Sequence, residues 1–341
     1  MMQYSVVPRR GGWFSRAGES YDVVIGTKLR LLRNMEAYPF RDTISAEDAL
    51  ALRKEVEHLF AGFPEEYICL DGDAMRSEHR DFYRDRGILD STRDGAVAVI
   101  TRDERVQVLL GEEDHLEIAA TDGGWTGRDT LNRVQAMDRR LEDSLHWAVS
   151  LRLGYLAPRV ETVGTGLIAE ALLFLPALQK REEVTAVEGI PRDRVSVQPA
   201  RAGTVGHDAL FTVRCAAVFP EEELRTVTML EETVERLVHY ERDARDVLVK
   251  RHTLEFSDAV HRALGALSHA RTLSLSEALD ETALIRLGSV CGVIDFPDSV
   301  TATELLFQAD DSAVQVLNED HQESLDVRRA TLMRRSLTDR D

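Results

Sequence analysis

Two short apolar segments separated by a polar loop set the strongest limit on how this chain folds. Residues 95–100 and 106–110 have the length and the valine content of buried strands, and residues 101–105 between them read Thr-Arg-Asp-Glu-Arg. Strands joined by so short a loop pair antiparallel, because a parallel connection needs a dozen or more residues. The chain is therefore predicted to contain an antiparallel sheet.

Further strand and helix signals are spread through the first three quarters of the chain. Ser45 stands at a helix N-cap position with Asp48 three residues later, and apolar residues recur with helical spacing after residue 127. The other predicted strands cover residues 22–26, 195–197 and 209–218. The predicted helices cover residues 45–60, 127–153, 166–178 and 221–252.

The composition changes near residue 253. Beyond it nearly all signals are helical, with breaks at Gly288, Gly292 and Pro297. Such a shift is typical of a domain boundary. We predict an irregular N-terminal segment (1–20), a mixed domain (21–252) and a helical C-terminal domain (253–341).

The overall charge excludes some classes of partner. The chain has 341 residues, of which 60 are acidic and 42 basic, giving a formal net charge of −18. Nucleic acid and anionic membrane surfaces both need a basic face, so neither is expected as a partner. Three cysteines without C-x-x-C spacing indicate neither a disulfide framework nor a cysteine zinc site. No apolar run is long enough to span a bilayer, and we expect a cytoplasmic protein that holds no metal of its own.

A cluster of ionisable residues follows the second apolar segment. Gly111 is followed by Glu112, Glu113, Asp114 and His115. Such a cluster either forms a chemical site or is a solvated acidic turn with a structural histidine beside it. The residues alone leave both interpretations open.

A glycine-rich string lies some fifty residues further on. Gly164, Thr165 and Gly166 have small side chains that let the backbone come close to a ligand. If the predicted helix at 166–178 begins here, its N-terminus favours an anion. The alternative is a tight turn with no ligand.

These strings occur in an order that resembles a known family. Residues 24–34, 111–116 and 153–178, together with the tail residues 326–330, resemble the ATP:guanido phosphotransferases, and within them the bacterial protein-arginine kinase subgroup. The resemblance implies an α+β fold, an antiparallel sheet flanked by helices, joined to a helical C-terminal domain that binds phosphoarginine. It also implies transfer of the ATP γ-phosphoryl group, with Mg²⁺, to arginine guanidinium groups of proteins.

The resemblance also assigns roles to individual residues. Glu113 stands where the family has the carboxylate that holds the guanidinium and accepts its proton, with Glu112 beside it. The tail residues Asp326 and Arg329 match the phosphoarginine-binding string. The residues that match nucleotide-binding positions are Thr27, Lys28, Arg30, Arg86, Gly164, Thr165, Gly166 and Arg201.

Several positions depart from the family pattern, and most of them are positions where the family has an arginine that grips phosphate. Lys28, Glu117 and Ile168 replace three such arginines, Arg159 replaces a cysteine, and Gly87 replaces a histidine. The loop at 197–205 lacks the family's arginine and carboxylate in register, so Arg201 is a substitute only if that loop is rebuilt. One catalytic arginine contributes about 10³ to 10⁵ in rate. Ordinary catalysis is therefore not expected.

Two classes of function follow from this pattern. One is a pseudokinase-like protein with a binding or regulatory role, and the other is an active kinase for protein arginine residues. We favour the first because of the lost arginines. The replacement of the phosphate-binding arginines also leaves open a third interpretation, in which Glu117, Glu161 and Glu170 favour binding of a cation. A protein substrate or regulatory protein is the expected partner, and the amphipathic tail is the sole support for a homodimer.

Overall fold

A computed structural model describes residues 11–89, 95–200, 207–216, 223–318 and 322–338. Its main feature is an eight-stranded sheet with the order β2-β3-β4-β5-β1-β8-β10-β9, and every neighbouring pair is antiparallel. A separate pair is formed by β6 and β7. The strands are β1 (Val24–Arg33), β2 (Tyr67–Asp71), β3 (Val97–Thr101), β4 (Val106–Leu110), β5 (Leu116–Gly123), β6 (Val149–Ser150), β7 (Gly154–Tyr155), β8 (Leu167–Phe174), β9 (Val195–Pro199) and β10 (Leu210–Ala216).

Ten α-helices lie in the described parts of the chain. Five belong to the region before residue 253, where they flank the sheet, and five follow it. They are α1 (Ala46–Ala61), α2 (Ser77–Asp85), α3 (Gly127–Glu142), α4 (Pro176–Lys180), α5 (Glu223–Arg251), α6 (Thr253–His269), α7 (Leu275–Val290), α8 (Ser299–Ala309), α9 (Asp311–Leu317) and α10 (Leu325–Thr338). The α+β class and the antiparallel hairpin of β3 and β4 are confirmed.

One face of the sheet forms the main hydrophobic core. Alternation along β1 directs Leu29 and Leu31 into this core, where both are fully buried. Helices α1, α3 and α5 bury their apolar stripes against the same face. The predicted N-cap of α1 is confirmed, since the Ser45 hydroxyl accepts a hydrogen bond from the Asp48 N–H at 3.0 Å.

The opposite face of the sheet is covered at two places and polar between them. Helix α2 packs on the end formed by β2, β3 and β4, through residues such as Phe82 and Tyr83. The C-terminal helices pack on Leu172 and Phe174 of β8. Between these two clusters β1 presents Lys28 and Arg30, and this polar section is the candidate site.

Two helix predictions are wrong. The helix predicted at 127–153 ends at Glu142, and residues 149–150 pair with residues 154–155 instead. The helix predicted at 166–178 is the central strand β8, followed by the short α4. Seven of the eight residues of β8 are apolar, Glu170 being the exception, and the strand is buried on both faces. It therefore lacks alternation, and periodicity alone cannot separate a strand from a helix there.

The N-terminal segment is more ordered than expected in its described part. Residues 13–15 form a turn of 3₁₀-helix, and Trp13 and Phe14 are buried against Phe307 of α8. Gly288, a predicted helix break, lies inside α7. In the described part of the chain no helix is long and apolar enough to cross a membrane.

Candidate active site

A row of charged side chains crosses four neighbouring strands on the polar face of the sheet. Glu170 of β8 lies opposite Lys28 of β1 on one side and Arg214 of β10 on the other. Arg30 follows Lys28 by two residues and therefore faces the same way. Glu117 reaches the row from β5, on the far side of β1.

Arg30 is held between two carboxylates. Its Nη2 donates to Glu170 Oε1 at 2.8 Å, and its Nη1 donates to Glu117 Oε2 at 3.2 Å. Arg214 Nε lies 3.6 Å from the same Glu170 oxygen. Burial raises the pKa of Glu170, but the charges of Arg30, Lys28 and Arg214 outweigh it, so the net shift is downward. Glu170 is therefore an anion that engages the cations of this face.

The two candidate catalytic carboxylates lie on the turn after β4. Gly111 starts this turn with a φ of +91°, a conformation that favours glycine. Glu113 Oε1 accepts a hydrogen bond from Arg159 Nε at 2.5 Å. Glu113 thus already binds a guanidinium, which belongs to the chain itself.

Glu112 and Glu113 share one cleft with the charged row. The cleft has a volume of about 170 Å³. Three arginines and four acidic residues contribute to its lining, and Leu32, Leu109, Thr162 and Ile168 provide the rest: the charged residues are Arg30, Arg159, Arg214, Glu112, Glu113, Asp114 and Glu117. The cleft is therefore not a basic site, because its carboxylates outnumber its guanidinium groups.

Asp114 and His115 fix the turn in place. Asp114 Oδ1 accepts from Asn34 Nδ2 at 2.6 Å, and burial raises the pKa of Asp114 to about 6. His115 Nδ1 accepts from the Met35 N–H at 3.0 Å, so its Nε2 carries the proton donated to Pro39 O at 2.8 Å. These contacts use both ring nitrogens of His115, and they favour its structural interpretation.

Three predicted nucleotide-binding residues make contacts within the protein. Thr27 is fully buried, and its hydroxyl donates to Gly124 O at 2.7 Å. Arg86 is also buried, and it pairs with Glu104 at 2.8 Å. Lys28 Nζ donates to Gly87 O at 2.8 Å and lies 4.0 Å from Glu117. Of the three, only Lys28 belongs to the charged row.

The glycine string leads into a strand, so the expected helix N-terminus for an anion is wrong. Gly166 has a φ of +67°, and a Cβ atom there would lie 2.7 Å from Leu32 O. Thr165 O and Leu32 O accept hydrogen bonds from Arg33 Nη1. Gly164 O accepts from the Tyr155 N–H at 2.8 Å. These contacts give the string a backbone-packing role beside β1.

Of the remaining predicted site residues, Asp326 and Arg329 do not line the cleft. Arg201 is outside the described residues. Arg329 of α10 is buried, donating to Ala309 O, to Leu273 O and to Asp326 Oδ1 at 2.7 to 2.8 Å, and it pairs with Asp311. Its guanidinium is thus engaged by protein oxygens in this conformation. Binding of phosphoarginine by Asp326 and Arg329 stays a prediction.

Sequence reasoning missed Arg214, which lines the cleft from β10. The signal was a single charged residue inside an otherwise apolar strand, which strand alternation places on the polar face. A cation site at Glu117, Glu161 and Glu170 finds no support in the described residues, where no group of three metal-ligating side chains could hold an ion. Glu117 and Glu170 bind Arg30 instead.

The sequence and the fold of this chain are similar to those of known proteins. Residues 32–244, more than half of the chain, match the sequence profile of the family described as ATP:guanido phosphotransferase, C-terminal catalytic domain. The chain belongs to the ATP:guanido phosphotransferase family. Residues 253–341 match a second profile, described as Protein-arginine kinase McsB C-terminal domain.

Curated relatives extend this likeness over most of the chain. It is 25% identical to the protein-arginine kinase of Clostridium novyi (strain NT) over 313 residues, which is 89% of this chain and 91% of that protein. It is 27% identical to the protein-arginine kinase of Shouchella clausii (strain KSM-K16) over 340 residues, covering 95% of this chain and 94% of that protein. The likeness therefore spans both the sheet and the C-terminal helices.

Solved structures share the fold. A lombricine kinase superposes with a TM-score of 0.56 at 15% identity, over 70% of this chain and 72% of that one. The duplicated taurocyamine kinase of Schistosoma mansoni gives a TM-score of 0.57 at 16% identity, over 82% of this chain and 41% of that one. At these identities the likeness supports the guanido phosphotransferase fold and no finer assignment.

Proposed function

We propose that this protein is a pseudokinase-like guanido phosphotransferase. It keeps carboxylates that can bind a guanidinium, but it has lost much of its affinity for ATP. The supporting observation is the placement of Arg30 between Glu117 and Glu170. Its guanidinium charge is neutralised before any ligand arrives. We therefore propose a binding or regulatory role in place of phosphoryl transfer.

The physical argument concerns what a triphosphate would meet in the cleft. Phosphoryl transfer depends on preorganised cations that face the developing negative charge. In this cleft Glu117 contributes a negative charge and Ile168 an apolar side chain, while Arg30 and Arg214 both interact with Glu170. A nucleotide would have to break these pairs to obtain its own, so the donor set does not fit Mg²⁺-ATP.

An active arginine kinase is the second candidate. Glu112 and Glu113 are both present beside the cleft, and Arg30, Arg159 and Arg214 line it. If a substrate displaced Arg159 from Glu113, the carboxylate would hold the incoming guanidinium as an active enzyme requires. This candidate needs the arginines to exchange their carboxylate partners for phosphate.

The partner that suits either candidate is a protein that presents arginine. The two curated relatives described above are protein-arginine kinases, and the Glu113 carboxylate binds a guanidinium in this structure. A phosphoarginine site at Asp326 and Arg329 belongs to the same proposal, with weak binding expected because Arg329 is fully engaged. A cytoplasmic location and self-association stay predictions.

A transfer assay tests the proposal. The purified full chain is incubated with Mg²⁺ and ATP labelled on its γ-phosphate, together with an arginine-rich protein, and acid-labile label is measured. We expect no more label from the wild type than from Glu113→Ala. Glu161→Ala is the matched control, because Glu161 is an exposed acid near the cleft that does not line it. Stoichiometric label in the wild type and in Glu161→Ala, absent from Glu113→Ala, would overturn the proposal.

A further inference from the structure

A second cavity, larger than the cleft, shares none of the residues that line the cleft. It has a volume of about 720 Å³, within the usual range for small-molecule sites. Helices α4, α5, α6 and α7 form its walls, so it sits where the sheet domain meets the C-terminal helices. Its assignment is independent of the proposed function.

The walls of this cavity are apolar. Leu248 of α5, Phe256 and Ala259 of α6, and Leu284 of α7 contribute to them. Phe256 belongs to the second hydrophobic cluster, and Leu248 and Leu284 pack against that cluster while remaining partly accessible. An apolar body could therefore bury itself here without displacing a polar group.

The rim of the cavity is basic in an otherwise acidic protein. Lys180, Arg181 and Arg251 line it, against two carboxylates, Glu255 and Asp280. Arg181 pairs with Glu183. In the parts of the chain that the structure describes, neither Lys180 nor Arg251 makes an ion pair.

Each carboxylate on the rim lies within contact distance of a histidine side chain. His252 Nδ1 lies 2.9 Å from Glu255, and His207 Nε2 lies 3.3 Å from Asp280. His207 Nδ1 accepts from the Ala209 N–H at 3.0 Å, so its Nε2 carries the proton that faces Asp280. The two cations without ion-pair partners are therefore the groups left to attract a ligand.

We propose that this cavity binds a small organic anion with an apolar body, in which Lys180 and Arg251 hold the acidic head group. The apolar walls bury the body, and the rim cations supply charge complementarity against a net charge of −18 for the whole chain. Carboxylate and phosphate head groups share this chemistry.

Fluorescence titration of the full chain with 8-anilinonaphthalene-1-sulfonate tests the proposal. This probe has an aromatic body and one sulfonate. We expect saturable binding to one site, at least tenfold weaker in Lys180→Glu/Arg251→Glu. Lys250→Glu is the control for charge reversal beside the cavity, because it reverses one charge one residue before Arg251 on α5, at a side chain that does not line the cavity. Its affinity should change less than twofold.

Two further measurements test the role of the apolar walls and the preference for the ligand head group. Ala259→Trp should occupy part of the apolar wall and weaken binding at least tenfold, with an unchanged circular dichroism spectrum showing that the fold persists. Decanoate and decyl phosphate should displace the probe, and their relative affinity identifies the preferred head group. Equal probe affinity in the double variant and the control, an uncharged analogue of the probe binding as tightly, or displacement by neither competitor would each overturn the proposal.

Discussion

Arg30 is the residue whose surroundings explain most of the candidate site. Its two carboxylate partners, Glu117 and Glu170, come from the strands on either side of β1. A guanidinium that is largely removed from water costs free energy unless it is paired and hydrogen-bonded. The two carboxylates supply that pairing. We therefore propose that Arg30, which the sequence predicted to bind phosphate, stabilises the sheet.

Removing the Arg30 side chain should destabilise the fold. Arg30→Leu leaves Glu117 and Glu170 with less compensation, and we expect a loss of about 1–2 kcal/mol in the free energy of unfolding. The double variant Arg30→Leu/Glu170→Leu should recover part of this loss, because it removes a partner that the single variant leaves unpaired. Urea denaturation measures both. A single variant as stable as the wild type would contradict the pairing.

His115 should make the protein sensitive to mild acid. Burial, which outweighs the hydrogen bond to Pro39 O, lowers the pKa of His115 from its ordinary value of 6.5. The unfolded chain therefore takes up this proton at a higher pH than the folded chain does. The contribution of neutral His115 to the free energy of unfolding is fully present above pH 6.5. It decreases as the pH drops from 6.5 towards the folded-state pKa of His115.

Nuclear magnetic resonance titration of the imidazole is the direct measurement of this effect. We expect a pKa for His115 below 6.5, and His115→Gln should lose this part of the pH dependence in urea denaturation. The neighbouring Asp114 acts in the opposite direction, because its contribution is lost as the pH rises through its pKa of about 6. A pKa for His115 above 6.5 would contradict the buried neutral ring.

At the scale of single residues, the sequence predicted some positions well and others not at all. Glu112, Glu113 and Arg30 were expected to meet, and they line one cleft. Thr27 and Arg86 were expected to face a nucleotide but are buried among protein partners. Which partner a buried polar group finds depends on long-range contacts, such as Arg86 with Glu104, that no local pattern encodes.

At the scale of elements, the central strand β8 was the hardest to predict and matters most for the cleft. It carries Ile168 and Glu170, and it lies between β1 and β10. The antiparallel hairpin was predictable from the short polar loop at 101–105 between two apolar segments, and helix α1 was predictable from its N-cap at Ser45. Strand β8 is apolar at every position except Glu170 and is buried on both faces, so its sequence shows little alternation and no loop or cap signal of this kind.

The backbone before β8 should tolerate no side chain at Gly166. Gly166→Ala places a Cβ atom 2.7 Å from Leu32 O at a φ of +67°, so we expect a loss of about 1–3 kcal/mol in the free energy of unfolding. Gly265→Ala is the matched control inside α6, where a Cβ would meet nothing within 4 Å. It should stabilise the protein by about 0.5–1 kcal/mol, because alanine has the higher helix propensity. Thermal denaturation of both variants measures the contrast, and equal signs would contradict this account of the turn.

At the scale of the whole molecule, the C-terminal helices and the sheet share one hydrophobic cluster. Trp13 and Phe14 from the N-terminal segment lie in it together with Phe174 of β8 and Phe307 of α8. Arg286 of α7 is fully buried and donates to Tyr21 O at 2.6 Å and to Asp22 O at 3.1 Å. The chain just before β1 is thereby fastened to the C-terminal helices. The division at residue 252 stays a prediction about sequence units.

Loss of the hydrogen bonds from Arg286 to Tyr21 O and Asp22 O should lower the stability of the entire protein. Arg286→Met leaves the carbonyl groups of Tyr21 and Asp22 without their donor, and we expect a loss of about 2–4 kcal/mol in the free energy of unfolding. Arg262→Met, on the exposed face of α6, is the control and should change it by less than about 0.5 kcal/mol. Urea denaturation followed by tryptophan fluorescence compares them. Two variants of equal stability would show that Arg286 does not link the two parts.

The central claim is that the guanido phosphotransferase fold persists here while the site for the nucleotide is neutralised by the chain's own carboxylates. Calorimetric titration with Mg²⁺-ATP tests it most directly, on the wild type and on Lys28→Arg/Glu117→Arg/Ile168→Arg, which restores three family arginines. We predict no saturable binding to the wild type below about 1 mM, and binding at least about tenfold tighter in the triple variant. Binding to the wild type with a dissociation constant of about 1–10 μM would contradict the claim.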